Sequence, residues 1–333
     1  MLDGERRSPG SASRLEAPAE AAPQSKCVLT VDVEEYFQVN AFSKVIRIQD
    51  WSGFESRVER STHLILDLFD QHNAKATFFV LGWVAERHVS LIRQIQARGH
   101  EIACHSYLHQ SLYHLGLQQF RDDTRKAKRI LEDITGQKVC GYRAPSFSVT
   151  KRNLWVLEEL ASEGFLFDSS IYPTRHDQYG IADWPRLPAV IKTPKGPILE
   201  IPGSTVRFMG CNLPCGGGGY LRLLPLHFNL IGLRRICQTE NACGVIYVHP
   251  WEFDPNQPRI SAPMRSRIRH YTGLHRTQAR LHRILCQLSV GPVRDLMIPQ
   301  LERVRNGHCD LGLLPRHPQA PFSEKDEYLV QSV

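Results

Sequence analysis

The chain has no long hydrophobic run. Nowhere in its 333 residues do about 18 consecutive apolar positions occur, which argues against a membrane-spanning helix. The most apolar stretch, residues 223–236, is interrupted by Pro225, His227, Asn229 and Gly232. No leader of secretory type is expected either. The first 25 residues (MLDGERRSPGSASRLEAPAEAAPQS) are polar, small and proline-containing, and read as disordered. Neither sign of charge dominates. A formal +7 is modest for this length; it favours acidic polymers or membrane surfaces in general and demonstrates neither. Cysteine offers no framework, since the nine residues are odd in number and scattered. Cys211 and Cys215 are four apart, but no second close pair completes a zinc ribbon. The cysteines read as small, reduced core hydrophobes, as in a cytoplasmic protein. No internal repeat is visible.

What is there is an alternation of short β-branched runs and amphipathic helices. Residues 26–31 (KCVLTV) read as a strand buried on both faces, ending abruptly in Asp32, Glu34 and Glu35. Residues 76–81 (ATFFVL) and 101–104 are further strands. Residues 84–98 place Val84, Val89, Ile92 and Ile95 at helical spacing and stop before Gly99. Another amphipathic helix covers 120–135, ending at Gly136, and Thr150 is placed to cap a helix running to about Gly164. Strands at 165–167, 198–201 and 244–248 complete the series. This order predicts an α/β fold with a parallel sheet or barrel. From 203 to 225 the pattern lapses into a glycine-rich loop (CGGGGY), either a lid or a long crossover. From about Arg259 the chain is arginine-rich and helical. There Leu281, Ile284, Leu285 and Leu288 suggest a packed amphipathic helix with a solvated face that can rest on a membrane surface, and nucleic-acid binding is not expected. The domain is expected over residues 26–300, preceded by the leader 1–25 and followed by a polar tail, 301–333.

Four strand ends bear reactive side chains. In TVDVEEYF, Asp32 and Glu34 are two apart and face the same side of a strand at its C-terminal end. Carboxylates there are costly unless paired or metal-bound, although a solvated strand-exit loop is an equal reading. In HSYLH, His105 and His109 are four apart, a spacing that puts both imidazoles on one face of a helical turn. With Glu34 they supply two nitrogens and one oxygen, the donor set of a catalytic zinc site. In GYRAPSFS, Arg143 can hold a carboxylate through its planar fork, or be an ordinary surface arginine before a turn. In VIYVHPWE a buried-type strand delivers His249, a position where a histidine is more often structural.

The order of these motifs resembles the NodB-type polysaccharide deacetylases, carbohydrate esterase family 4. DVEEYFQV, ATFFVLGWVAE, GHEIACHSYLH, YRAPSFS, FDSSIYP, GGGGYLRLLP and YVHPWEFDP together resemble, over residues 26–291, a bacterial branch associated with exopolysaccharide and exosortase (PEP-CTERM) loci. The resemblance implies an irregular (β/α) barrel of about seven strands and a divalent metal, zinc by its donors. It also implies hydrolysis of N-acetyl groups on a polysaccharide. It assigns Asp32 as general base, Glu34, His105 and His109 as metal ligands, and Arg143 as the residue orienting the base. His249 becomes general acid and the Ser146 N–H an oxyanion donor. The family has two adjacent aspartates where this chain has Asp32-Val33-Glu34, so Glu35 competes with Glu34 for the ligand role. The aspartate supporting the catalytic histidine has no clean match; Asp168 is the candidate. Trp251 reads as a sugar platform or as packing. The alternatives are a small-molecule amide hydrolase acting on a compound such as allantoin, or a non-catalytic carbohydrate-binding module.

Overall fold

In the computed structural model, which describes residues 26–177, 179–305 and 329–332, β1 (Lys26–Val33) is buried at every residue after the first. The predicted leader and most of the predicted tail lie outside the described residues. The strands that follow are β2 (Thr77–Val80), β3 (Glu101–Cys104), β4 (Gly141–Tyr142), β5 (Phe167–Asp168), β6 (Ala189–Thr193) and β7 (Gly196–Glu200). After them come β8 (Thr205–Phe208), β9 (Cys211–Pro214), β10 (Val245–Val248), β11 (Ser289–Gly291) and β12 (Leu329–Ser332). One sheet runs β10-β1-β2-β3-β4-β5-β7-β6-β12, parallel from β10 to β7, with β11 also pairing with β1. Among the described residues β7 and β10 do not pair. The β8–β9 hairpin follows β7, and a single bridge from Gly217 to Tyr247 lies against β10, so the barrel-like sheet is not closed by a continuous ladder.

Parallel strands put all their C-terminal ends on one face, which is where this fold gathers its reactive side chains. The register does the rest. Val31 pairs with Val248, so the next residues, Asp32 and His249, emerge side by side. Cys104 pairs with Tyr142, so His105 and Arg143 also emerge together. Glycine lets the loop come so close to β10: a Cβ at Gly217 would stand 2.1 Å from the Tyr247 ring, and one at Gly218 2.7 Å from it. The Gly216 carbonyl accepts the Tyr247 N–H at 3.2 Å. The loop is thus packed against the sheet, which agrees with a crossover and not with a lid.

The helices are α1 (Val58–Gln71), α2 (Gly82–Arg87), α3 (Val89–Ala97), α4 (Leu117–Thr135), α5 (Trp155–Ser162), α6 (Gly218–Leu223), α7 (Leu226–Arg234), α8 (Met264–Tyr271) and α9 (Thr277–Leu285). The single helix expected over 84–98 is two, because the chain leaves helical geometry at His88 (φ −126°, ψ 51°). α4 buries Phe120, Thr124, Ala127 and Leu131 along one stripe and stops where Gly136 turns left-handed (φ 65°). Helix α5 begins later than expected. Thr150 does not cap it; its N–H and hydroxyl instead donate to Asn153 Oδ1 at 2.6 and 3.0 Å. Segments at Ile298–Arg305 and β12 give structure to parts of the predicted tail. All eight described cysteines are free, and the Cys27 and Cys237 sulfurs are 3.2 Å apart as a thiol pair. Among the described residues no helix is long and apolar enough to cross a membrane.

Candidate active site

Arg143 is the largest fully buried side chain, so its charge and donors need partners. Its Nη1 donates to Asp32 Oδ1 at 2.6 Å and to Thr30 Oγ1 at 2.9 Å. Its Nε and Nη2 donate to the carbonyl and hydroxyl of Ser169 at 3.1 and 2.8 Å. Phe79 lies under the guanidinium at 4.2 Å. This wrapping fixes the Asp32 carboxylate in place.

The Arg143 main chain has a second task. Its carbonyl accepts a hydrogen bond from His105 Nδ1 at 2.8 Å, which leaves Nε2 as the ring's lone-pair nitrogen. Burial pushes the His105 pKa down to about 4, so the ring is neutral and able to ligate. His109 does converge on His105, with ring centroids 5.3 Å apart, but not through a helical turn. HSYLH is an irregular loop with Ser106 and His109 at positive φ. It is pinned where Asp123 of α4 accepts the N–H groups of Tyr107 and Leu108 at 2.8 and 3.2 Å. Among the described residues seven non-glycine positions have positive φ. Ser106, His109, Ser146 and Phe147, four of them, lie on the loops after β3 and β4, which places the backbone strain at the site.

One ligating atom each from Glu34, His105 and His109 lies within 4.8 Å of the others. Glu34 Oε2 stands 2.6 Å from His109 Nε2, yet this buried oxygen makes no hydrogen bond. A carboxylate oxygen and an imidazole nitrogen crowded together without a bond fit a shared divalent cation, and two imidazoles with one carboxylate form a zinc-type donor set. Glu35 does not compete. It turns away to accept the Ser56 hydroxyl and the N–H groups of Arg57 and Val58 at the start of α1.

Across from these ligands, His249 Nε2 lies 3.7 Å from Asp32 Oδ2 and 3.9 Å from Glu34 Oε1. Its supporting carboxylate is Glu252. Oε2 of Glu252 accepts the His249 N–H at 3.0 Å and faces Nδ1 at 3.2 Å, while Oε1 accepts Arg222 Nε at 2.6 Å. Burial alone would lower the His249 pKa; Glu252, with Glu34 and Asp32, outweighs it and raises the value to about 9. Asp168 therefore does not hold the histidine as expected. It is buried beside Glu200 across the β5–β7 pairing and accepts the Ser170 hydroxyl. Burial raises Asp168 to about 6 and also raises Glu200 well above its usual value, and the neighbouring Asp168 charge adds to the rise at Glu200. Trp251 is no sugar platform. It is buried, sandwiched between His249 and His270, and its Nε1 donates to Glu34 Oε1 at 2.9 Å. Ser146 is half-buried on the loop after β4, beside Phe147, whose ring packs on Tyr172 and Tyr247.

Sequence reading misses Glu252, Arg222 and Asp123. Glu252 alone carried a local signal, three residues past His249 in a tight turn; Arg222 and Asp123 are distant in sequence and polar in type only. A second cluster, His72, His282 and Cys286, lies more exposed. One ligating atom from each of these also lies within 4.8 Å of the others, with His282 Nδ1 2.9 Å from His72 Nε2 and His282 Nε2 3.7 Å from Cys286 Sγ.

Residues 51–164 match the polysaccharide deacetylase family, and residues 169–297 match a domain of unknown function (DUF3473). A peptidoglycan-N-acetylglucosamine deacetylase of Bacillus cereus is 34% identical over 99 residues, which are 29% of this chain and 36% of that protein. The chain thus spans well under half the length of that relative. Among solved structures, a Mycobacterium smegmatis protein assigned to the polysaccharide deacetylases aligns with TM-score 0.56 at 20% identity, over 91% of this chain and 97% of that one. An allantoinase aligns with TM-score 0.53 at 18% identity, over 87% of this chain and 98% of that one. Identities this low establish a shared fold, and the fold hosts more than one amide chemistry. The match to the polysaccharide deacetylase family model is carried by residues 51–164.

Proposed function

We propose that the protein is a metal-dependent hydrolase that removes N-acetyl groups from an N-acetylhexosamine-containing polysaccharide, an exopolysaccharide by the sequence resemblance. The observation carrying this reading is the convergence of Glu34, His105 and His109 within 4.8 Å, with Asp32 and His249 beside them. Glu34, His105 and His109 are the residues that would hold the ion, which when bound supplies a Lewis acid for the acetyl carbonyl and a lowered pKa for water. Asp32 accepts the proton of the attacking water, and the Arg143 guanidinium keeps it oriented. The Ser146 N–H is assigned to the developing oxyanion, where one good donor contributes about 3–4 kcal/mol. His249, cationic at neutral pH and backed by Glu252, gives its proton to the leaving amine.

The test is acetate release from N-acetylglucosamine oligomers and exopolysaccharide, before chelation, after it, and with zinc restored. Chelator-sensitive release that is lost in Asp32→Asn and His105→Ala supports the reading. A folded, zinc-loaded protein that releases no acetate from any glycan but hydrolyses a small amide such as allantoin would replace it.

A further inference from the structure

The loops that leave the catalytic strand ends also enclose a groove of about 980 Å³. Its walls come from the segment after β1 (Asn40, Lys44), from the loop after β3 two residues past His109 (Ser111), and from the loop after β4 (Thr150, Lys151). The long segment after β5 and the start of α8 complete it. Ser148 ties two of these walls together by accepting the Leu112 N–H at 3.1 Å.

The charge of this lining is one-sided. Lys44, Lys151, Arg152, Arg175, Arg265 and Arg269 face it, against Asp177 as the sole carboxylate among the described lining residues. Lys151 is engaged by Asp183, and Arg269 lies 3.7 Å from Asp177. Lys44, Arg152, Arg175 and Arg265 are exposed and form no ion pair among the described residues. Elsewhere some cations are paired, as Arg121 and Arg125 are with Glu159 and Glu163 and Arg98 with Asp67 and Asp70, while others such as Lys192, Arg207 and Arg283 form no ion pair among the described residues. Tyr113 adds ring surface to the same lining, while the Tyr179 ring there is stacked on His176. Unpaired cations converging on a cleft raise the local concentration of anions, and aromatic faces suit sugar rings.

We infer that this groove binds an acidic glycan, a chain in which carboxylate-bearing sugars flank the acetylated hexosamine. The inference rests on the deacetylase reading for what is done to that chain, but not for its binding. A neutral glycan would leave four exposed cations facing one another across the cleft without partners. A carboxylate on alternate sugars meets them in series, with the acetylated residue held beside the catalytic strand ends.

The experiment uses the full chain carrying Asp32→Asn, so that binding is read without turnover. Labelled hyaluronan oligosaccharides, in which glucuronate alternates with N-acetylglucosamine, are compared with chitin oligosaccharides of equal length and with a DNA duplex of similar charge. The expected result is affinity for hyaluronan at least about tenfold above chitin, falling steeply as salt rises from about 0.05 to 0.3 M. The triple variant Arg152→Glu, Arg175→Glu, Arg265→Glu should collapse that ratio toward one, and these exposed positions leave the core untouched. Equal affinity for the acidic and neutral chains overturns the inference. So does equal binding of the DNA, which would make the groove a general polyanion patch. Acetate release by the protein with Asp32 intact is measured alongside. Selective hyaluronan binding with no acetate released from any glycan would sink the deacetylase reading and leave the groove assignment standing.

Discussion

Trp251 tests whether Glu34 is held in readiness for a metal. The indole N–H donates to Glu34 Oε1 at 2.9 Å, which fixes the carboxylate with Oε2 turned to His109. Trp251→Phe deletes the donor while keeping a ring between His249 and His270, whose centroids lie 5.1 and 4.2 Å away. A hydrogen bond to a charged group contributes about 1.5–3 kcal/mol, and the loss here falls on the carboxylate that must be preoriented. Removing an outer partner of a metal ligand typically weakens metal binding about 10–100-fold, or about 1.4–2.8 kcal/mol, the same range. The smaller ring also leaves a cavity, so we expect a further loss of about 1–2 kcal/mol in the stability of the metal-free protein. The assay is a zinc titration of stripped protein against a chromophoric chelator, with circular dichroism confirming the fold. A folded variant whose zinc affinity stays within about twofold of the parent would refute this role for the indole. His105→Ala in the same assay then shows whether the metal centre itself has been misplaced.

Three further outcomes follow from the same geometry. Asp32→Asn should keep its zinc and lose about 10²–10⁴-fold in kcat; loss of the zinc would move Asp32 into the ligand set. Glu252→Gln removes the charge that most raises the His249 pKa, leaving burial to pull it down. With His249 as the proposed protonated acid, the alkaline limb of the pH–rate profile should move from near 9 to lower pH by at least about one unit; an unmoved limb would remove His249 from that role. Gly217→Ala drives a Cβ to 2.1 Å from the Tyr247 ring and should cost about 1–3 kcal/mol, read as a lower urea midpoint; no change would mean the loop yields freely.

The strand-end positions of Asp32, His105 and His249 were legible in buried apolar runs, and the parallel register brings Asp32 beside His249 and His105 beside Arg143. The roles expected of these residues, and of Arg143, came from the family resemblance and not from strand position. What failed were readings that needed side-chain direction. Helical spacing suggested a turn for HSYLH, but the Asp123 contacts and two positive-φ residues shape that loop instead. Asp168 has the chemistry to support a histidine, yet its strand pairs it with Glu200, on the far side of β4 from His249. Trp251 as a neighbour of His249 gave no hint that its N–H would reach Glu34, 217 positions earlier. Glycines 216–218 could be read either way until Tyr247 was seen to lie against them.

The pairing of β1 with β10 has a consequence for the order in which the protein becomes competent. The Thr30 hydroxyl donates to the Ile246 carbonyl across 216 positions, so the first strand is made long before its partner exists. At about 5–20 residues per second, a ribosome needs roughly 10–45 s to travel that distance. During this interval Asp32 and Glu34 have neither His249 nor Trp251 beside them, and the sheet's first strand has an open edge. A chain that stops short of β10 carries the proposed ligands and base but not the proposed acid. On that proposal, hydrolysis is withheld from unfinished copies until the last third of the domain has closed on the first.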